Sequence, residues 1–200
     1  IAQPISGRCD LENVATIAAN NDVELGLLIA DIVEEIGKDG VISVEDGQNV
    51  DTTYKVTDGM ELERGYLTHI MVNKSDEGYC EFDDVLVLLT NATITNFQDL
   101  IPILQISEQE KKPLLIISKD IEGNALPNLL VNIMQQTVRV CAIRAPEWGD
   151  DQVEMLKDIS SVVGGTVFNV DVNDDFSKAT LEDLGQATKI KSDRQTTVIV

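Results

Sequence analysis

The stretch from 96 to 136 constrains the fold of this chain more than any other, because it combines two apolar helical patterns with a strand pattern. The strand pattern is the continuous apolar run 113–118, which is typical of a strand buried on both faces. Asp99 and Asn124 are each followed three residues later by a proline. Asp and Asn cap helices and proline is tolerated in a first turn, so these two residues predict the helix starts.

Both predicted helices carry more apolar side chains than one core-facing stripe needs, which is about three or four in two turns. Two interpretations follow, and the pattern leaves both open. Either the helices are buried all round in a large core, or each shows a second apolar face to a groove that holds another polypeptide. The apolar positions are Leu100, Ile101, Ile103, Leu104 and Ile106 in the first helix, and Leu126, Leu129, Leu130, Val131, Ile133 and Met134 in the second.

Composition and charge exclude several classes of partner. Hydrophobic residues make up 43% of the 200 residues and aromatic ones 4%, so Leu, Ile and Val must fill the core. The net charge of −20 comes with no basic patch of the kind that nucleic-acid phosphates require. The negative net charge also disfavours binding to an anionic membrane surface. No apolar run approaches the length of a membrane span. We therefore expect neither a nucleic-acid nor a membrane partner.

The cysteines and the first residues indicate a reducing compartment. Cys9, Cys80 and Cys141 are odd in number, far apart and in no CxxC pair, which favours free thiols over a disulfide framework. Residues 1–8 lack the basic and apolar regions of a secretory signal peptide.

A change of pattern at Gly59 divides the chain. Two predicted helices and short strands precede it, and a longer α/β pattern follows. Because glycine adopts backbone conformations closed to other residues, we place a hinge or domain boundary here, with an ordinary turn as the alternative. The predicted units are 1–58 and 59–200, both α/β. The predicted elements are helices at 10–19, 23–36 and 150–163, extended chain at 61–73, and strands at 41–44, 51–58, 85–89, 139–144, 166–172, 187–191 and 196–200.

Catalytic and metal-binding patterns are weak. His69 is the one histidine, and neither glycine-rich phosphate-binding motif occurs. Residues 171–182 match part of a calcium-binding EF-hand loop, but Phe176 occupies the position that needs a positive φ and hence glycine. We expect a solvated acidic loop there, no metal and no catalytic residue. The matching loop positions are Asp171, Asn173, Asp175 and Glu182.

Five stretches spread over nearly the whole chain carry a recognisable pattern. They are ATIAANNDVELGLLIADIVEEIGKDGVISVEDG (15–47), GMELERGYLTHIMVN (59–73), KPLLIISKDIEGNAL (112–126), VRVCAIRAPEWGDDQVEMLKDISSVVGGTV (138–167) and KATLEDLGQA (178–187). In order and density they resemble the group I chaperonins, the GroEL type. The resemblance implies that 1–58 is a small α/β segment of an intermediate domain. It implies that 59–200 is an apical domain, C-terminally incomplete, with layered β-sheets flanked by helices and two exposed apolar helices.

The resemblance also implies a binding surface. In such chaperonins two apical helices and an extended segment beneath them capture non-native polypeptides, and the mobile loop of a GroES-type co-chaperonin docks at the same place. Ile70 and Met71 stand where the family usually has two aromatics, and flexible Met suits a promiscuous surface. The residues implied are Tyr66, Ile70 and Met71 in the extended segment, Ile101 and Leu104 on the first helix, Leu126, Leu130, Val131 and Asn132 on the second, and Gly59 as the hinge.

A molecular chaperone without catalysis of its own is therefore the expected function. The parent would be a homo-oligomeric ring whose ATP and Mg²⁺ bind in an equatorial domain that this chain lacks. Its expected location is the bacterial cytoplasm, with the mitochondrial matrix and the plastid stroma as alternatives. Two other hypotheses stay open. One is an enzyme that uses Asp/Glu or metal chemistry, and the other is an assembly module whose apolar helices pack against copies of themselves.

Overall fold

A computed structural model describes residues 7–37, 42, 52–54, 56, 59–75, 77–169 and 175–200. The chain divides into two units, Ile1–Val56 and Thr57–Val200. The strands predicted at 41–44 and 51–58 lie for the most part outside the described residues.

The first unit contains a helical hairpin of α1 (Arg8–Ala18) and α2 (Val23–Ile36). Asp22 caps α2, because its side chain accepts a hydrogen bond of 3.1 Å from the Leu25 N–H. Gly37, with φ of 80°, ends the helix. Both helices are thus found where the pattern predicts them, with α1 starting two residues early.

The second unit is built on a mixed sheet with the strand order β1-β9-β8-β2-β4-β6, in which β7 also pairs with β2. Neighbours β2, β4, β6 and β7 pair in parallel, whereas β1, β8 and β9 pair antiparallel. A separate parallel pair joins β3 to β5. The strands are β1 (Met60–Leu62), β2 (Cys80–Thr90), β3 (Thr93–Ile94), β4 (Leu114–Ser118), β5 (Asp120–Ile121), β6 (Val140–Arg144), β7 (Val167–Phe168), β8 (Gly185–Ser192) and β9 (Thr197–Ile199).

Two hydrophobic clusters lie on opposite faces of this sheet, because successive strand side chains point to opposite sides. Leu86 and Leu88 belong to the first cluster, and Val85 and Val87 to the second. Side chains of α3 (Phe97–Glu110) and α4 (Ala125–Met134) pack in the first cluster. Those of α5 (Gly149–Val163) pack in the second. The mixed α/β class is therefore confirmed, and every side chain of β4 is buried, as the run 113–118 predicts.

The start of α3 differs from the prediction. Asn96, not Asp99, is its N-cap, and its side chain accepts from the Gln98 N–H at 3.3 Å. Pro102 is consequently inside the helix and leaves the Gln98 carbonyl without its usual intrahelical donor. The prediction was wrong here because two capping residues stand close together, and the earlier one caps the helix.

The starts of α4 and α5 place a proline and a carboxylate in the first turn, where each is tolerated. Pro127 is the third residue of α4, where its missing N–H was unpaired in any case. Asp150, the first residue of the helix predicted at 150–163 and a capping residue by type, instead lies in the first turn of α5, after the N-cap Trp148. A carboxylate there still favours the helix by facing the positive end of its dipole.

Gly59 occupies a position that requires glycine. Its φ is +114°, and a Cβ added there would lie 2.2 Å from the Ile199 carbonyl oxygen of β9. A hinge at this residue remains a prediction.

The acidic loop that partly matches an EF-hand is described from Asp175 onward; Asp171 and Asn173 lie outside the described residues. Phe176 is buried in a single turn of 3-10 helix, Phe176–Lys178, which Asp175 caps. Within the described ranges, no three His, Cys, Asp or Glu side chains form a group suited to a metal. Among the described helices, none combines the length and apolarity needed to cross a bilayer.

Candidate functional site

A hydrogen-bonded clamp joins the N-terminal ends of α3 and α4. The Asn124 side-chain oxygen accepts from the Phe97 N–H at 2.8 Å, and the Asn124 N–H donates to the Thr95 carbonyl at 3.1 Å. Strands β3 and β5, which precede the two helices, also pair in parallel. The helices therefore start side by side and run in the same direction.

Asn124 is the N-cap residue of α4, as predicted, but the predicted capping bond from its side chain is wrong. Its side chain makes no capping bond to α4 and instead satisfies a free N–H of the neighbouring helix. Gly123 permits this approach, because its φ is +58° and an added Cβ would lie 2.6 Å from the Thr95 carbonyl oxygen.

Asn124→Ala is expected to lower the free energy of unfolding by about 1 kcal/mol, the usual effect of removing a capping acceptor. Asn124→Asp is the matched control, because it keeps an oxygen acceptor for the Phe97 N–H. Urea unfolding of both variants measures the difference. An equal loss in the two variants would contradict the clamp.

Three elements on this side of the sheet leave apolar side chains exposed. Ile70 is 43% exposed, Ile101 37%, Val131 49% and Met134 69%. Helix α4 contacts both α3 and the short 3-10 helix His69–Met71 that carries Ile70. Three further side chains of α4, Leu126, Leu130 and Ile133, are half-buried and pack against the first cluster. We call the four exposed side chains together with Leu126 and Leu130 the apolar strip: Ile70, Ile101, Leu126, Leu130, Val131 and Met134.

Met71 and Leu104 lie in the core, although both are predicted binding residues. They are 2% and 7% exposed, and both belong to the first cluster. The Met71 sulfur also lies 3.3 Å from the Ala142 backbone nitrogen, which donates to it. These two side chains therefore support the apolar strip from beneath.

Tyr66 and Asn132 also lie apart from the strip. Tyr66 is half-buried against the second cluster, and its N–H donates to the Asp193 carbonyl at 3.0 Å. The Asn132 side chain donates to the Asn128 carbonyl at 2.8 Å and accepts from the Thr137 hydroxyl at 3.1 Å. Its polar atoms thus close the last turn of α4.

The crowded helices are not buried all round, and a groove that holds another polypeptide stays a prediction. Leu100, Ile103 and Leu129 are fully buried, as a core helix requires, whereas Ile101 and Val131 remain exposed. Met134 is an apolar position of the second predicted helix for which the sequence predicts no binding role. Its spacing of four residues from Leu130 is the signal that places it on the same side of α4.

The shifted titratable groups have local structural causes. An ion pair with Lys189 lowers the pKa of Glu81, and the two residues lie diagonally across the neighbouring strands β2 and β8. A hydrogen bond with Cys80, together with complete burial, raises the pKa of Cys141. Neither shift by itself indicates acid–base chemistry, since structural pairs produce the same effect. No model of a known protein family matches this chain.

Proposed function

We propose that this chain is the polypeptide-binding part of a group I chaperonin. The observation that carries the proposal is the apolar strip, which is exposed on three neighbouring elements. Its members Ile70, Ile101 and Val131 stand at positions to which the chaperonin resemblance assigns client binding. In this account 1–58 is the intermediate-domain segment, 59–200 the apical domain, and Gly59 the hinge.

The proposed mechanism is hydrophobic and non-directional. A non-native chain exposes apolar side chains, and burying them stabilises a complex by about 25 cal/mol per Å², whatever their sequence. The strip therefore recognises the exposure of apolar groups instead of a motif. Association costs offset much of this gain, so a single chain binds weakly and reversibly. A homo-oligomeric ring would present several strips to one client and raise the effective affinity.

The same strip would bind the mobile loop of a co-chaperonin. Two ligands that need one surface compete, so loop binding would displace the client. This chain contributes binding and no catalysis. ATP and Mg²⁺ would act in the equatorial domain of the parent, in the bacterial cytoplasm or, as alternatives, the mitochondrial matrix or plastid stroma.

Capture of one protein in two states tests the proposal. We expect the chain to bind the denatured protein as it is diluted from urea and to reduce its aggregation, measured by light scattering. The same protein in its native state should show no binding in sedimentation, because its apolar groups are buried. Equal binding of the denatured and the native protein would contradict the proposal. Self-association that removes the strip from solvent would favour an assembly module instead.

A further inference from the structure

A cleft of about 210 Å³ opens between the C-terminal ends of α3 and α4. It lies beyond the last exposed apolar residue of α4 and shares Leu104 with the supporting core. Ile101 of the strip lies on α3, and Lys111 of the cleft is the C-cap of the same helix, so the strip and the cleft lie along one helix. The side chains that matter for its chemistry are Leu104, Glu108, Lys111, Lys112, Thr137 and Arg139.

The cleft is basic in a chain whose net charge is −20. Lys112 pairs with Asp84 at 2.8 Å. Arg139 donates one guanidinium N–H to the Lys111 carbonyl, which leaves its other N–H donors for a ligand. In the part of the chain that the structure describes, no ion pair holds Lys111 or Arg139. The cleft has three cationic side chains, and the carboxylates of Glu108 and Asp84 offset two of them, which leaves a net charge of +1.

We propose that this cleft binds a carboxylate of the captured polypeptide, an inference that rests on the proposed function of the apolar strip. Lys111 follows Ile101 by ten residues, which is about 15 Å along a helix. An extended segment covers that distance in about four or five residues. The favoured segment is therefore apolar, with an Asp or Glu about four or five residues to one side.

Two fluorescent peptides test the inference on the 200-residue chain. They share one apolar segment and differ in a single residue, Glu or Gln, placed five residues from the centre of that segment. We expect the Glu peptide to bind about three- to fivefold more tightly in low salt, the effect of an exposed ion pair. Raising the salt concentration should remove the preference.

Lys111→Gln should reduce the ratio of the dissociation constants of the Gln and Glu peptides to nearly one. The dissociation constant of the Gln peptide itself should stay unchanged. Lys157→Gln is the matched control, because Lys157 is an exposed lysine on α5 at the opposite face of the sheet. An unchanged preference in Lys111→Gln would overturn the inference. The inference would also be overturned if both peptides bound the unmodified chain equally tightly. Weaker binding of both peptides to Val131→Glu would show that this binding takes place at the apolar strip. Binding of neither peptide would overturn the proposed function together with the inference.

Discussion

Leu104→Glu is expected to unfold the second unit. Leu104 is 7% exposed and packs in the first cluster. Removing a buried leucine costs about 2 to 5 kcal/mol, and an unpaired carboxylate in an apolar site adds a desolvation penalty. The sum approaches the whole stability of a typical domain, about 5 to 15 kcal/mol. Circular dichroism and urea unfolding at neutral pH measure the loss.

Leu104→Met is the matched variant for this position. It conserves the apolar character and most of the volume, so its loss should stay below about 1.5 kcal/mol. A Leu104→Glu variant that unfolds cooperatively at an unchanged midpoint would contradict the core position of this side chain.

The role of Leu104 shows where helical spacing stops being informative. Ile101 and Leu104 are three residues apart and so lie on neighbouring parts of one helix face. The packing of α3 buries one and leaves the other 37% exposed. A crowded apolar helix lacks the polar residues that would mark where its buried face ends. Which apolar side chain stays at the surface is therefore set by the neighbouring elements.

The buried strand β4 and the mixed α/β class could be predicted better than the exposure of individual helix side chains. The run 113–118 is too continuous for a half-exposed strand, and β4 is indeed buried on both faces. Gly164, with φ of 74°, ends α5 where the sequence indicates a stop. Such signals are local, because each depends on a single residue or on one short run of neighbouring residues.

Contacts between distant segments account for most of what the sequence did not reveal. Asn124 is of a residue type that caps helices and directly precedes α4. Its side-chain oxygen nevertheless accepts a hydrogen bond from the Phe97 N–H, 27 residues earlier. Tyr66 lies in the segment predicted as extended chain, and its backbone pairs with Ile143 in an isolated bridge. Both partners are remote in sequence and meet through the pairing of the strands.

Binding at the apolar strip should depend strongly on Val131. Its side chain is 49% exposed, so Val131→Glu is expected to change the free energy of unfolding by less than about 0.5 kcal/mol. Covering the exposed half of this valine against a client contributes about 0.7 to 1.5 kcal/mol, and a glutamate there must also be desolvated. We therefore expect binding of a non-native protein to weaken by more than about tenfold.

Val162→Glu is the control for this change. Val162 is 59% exposed on α5, whose side chains pack on the opposite face of the sheet, and the substitution adds the same negative charge to the chain. General repulsion of an acidic client is therefore equal in the two variants. Any difference between them reports the position of the side chain.

The decisive measurement is the dissociation constant of one fluorescently labelled, permanently unfolded protein for the unmodified chain and for these two variants. The account predicts a loss of more than about tenfold for Val131→Glu and an unchanged constant for Val162→Glu. Equal constants for the two variants, both folded by circular dichroism, would show that unfolded chains bind elsewhere or not at all.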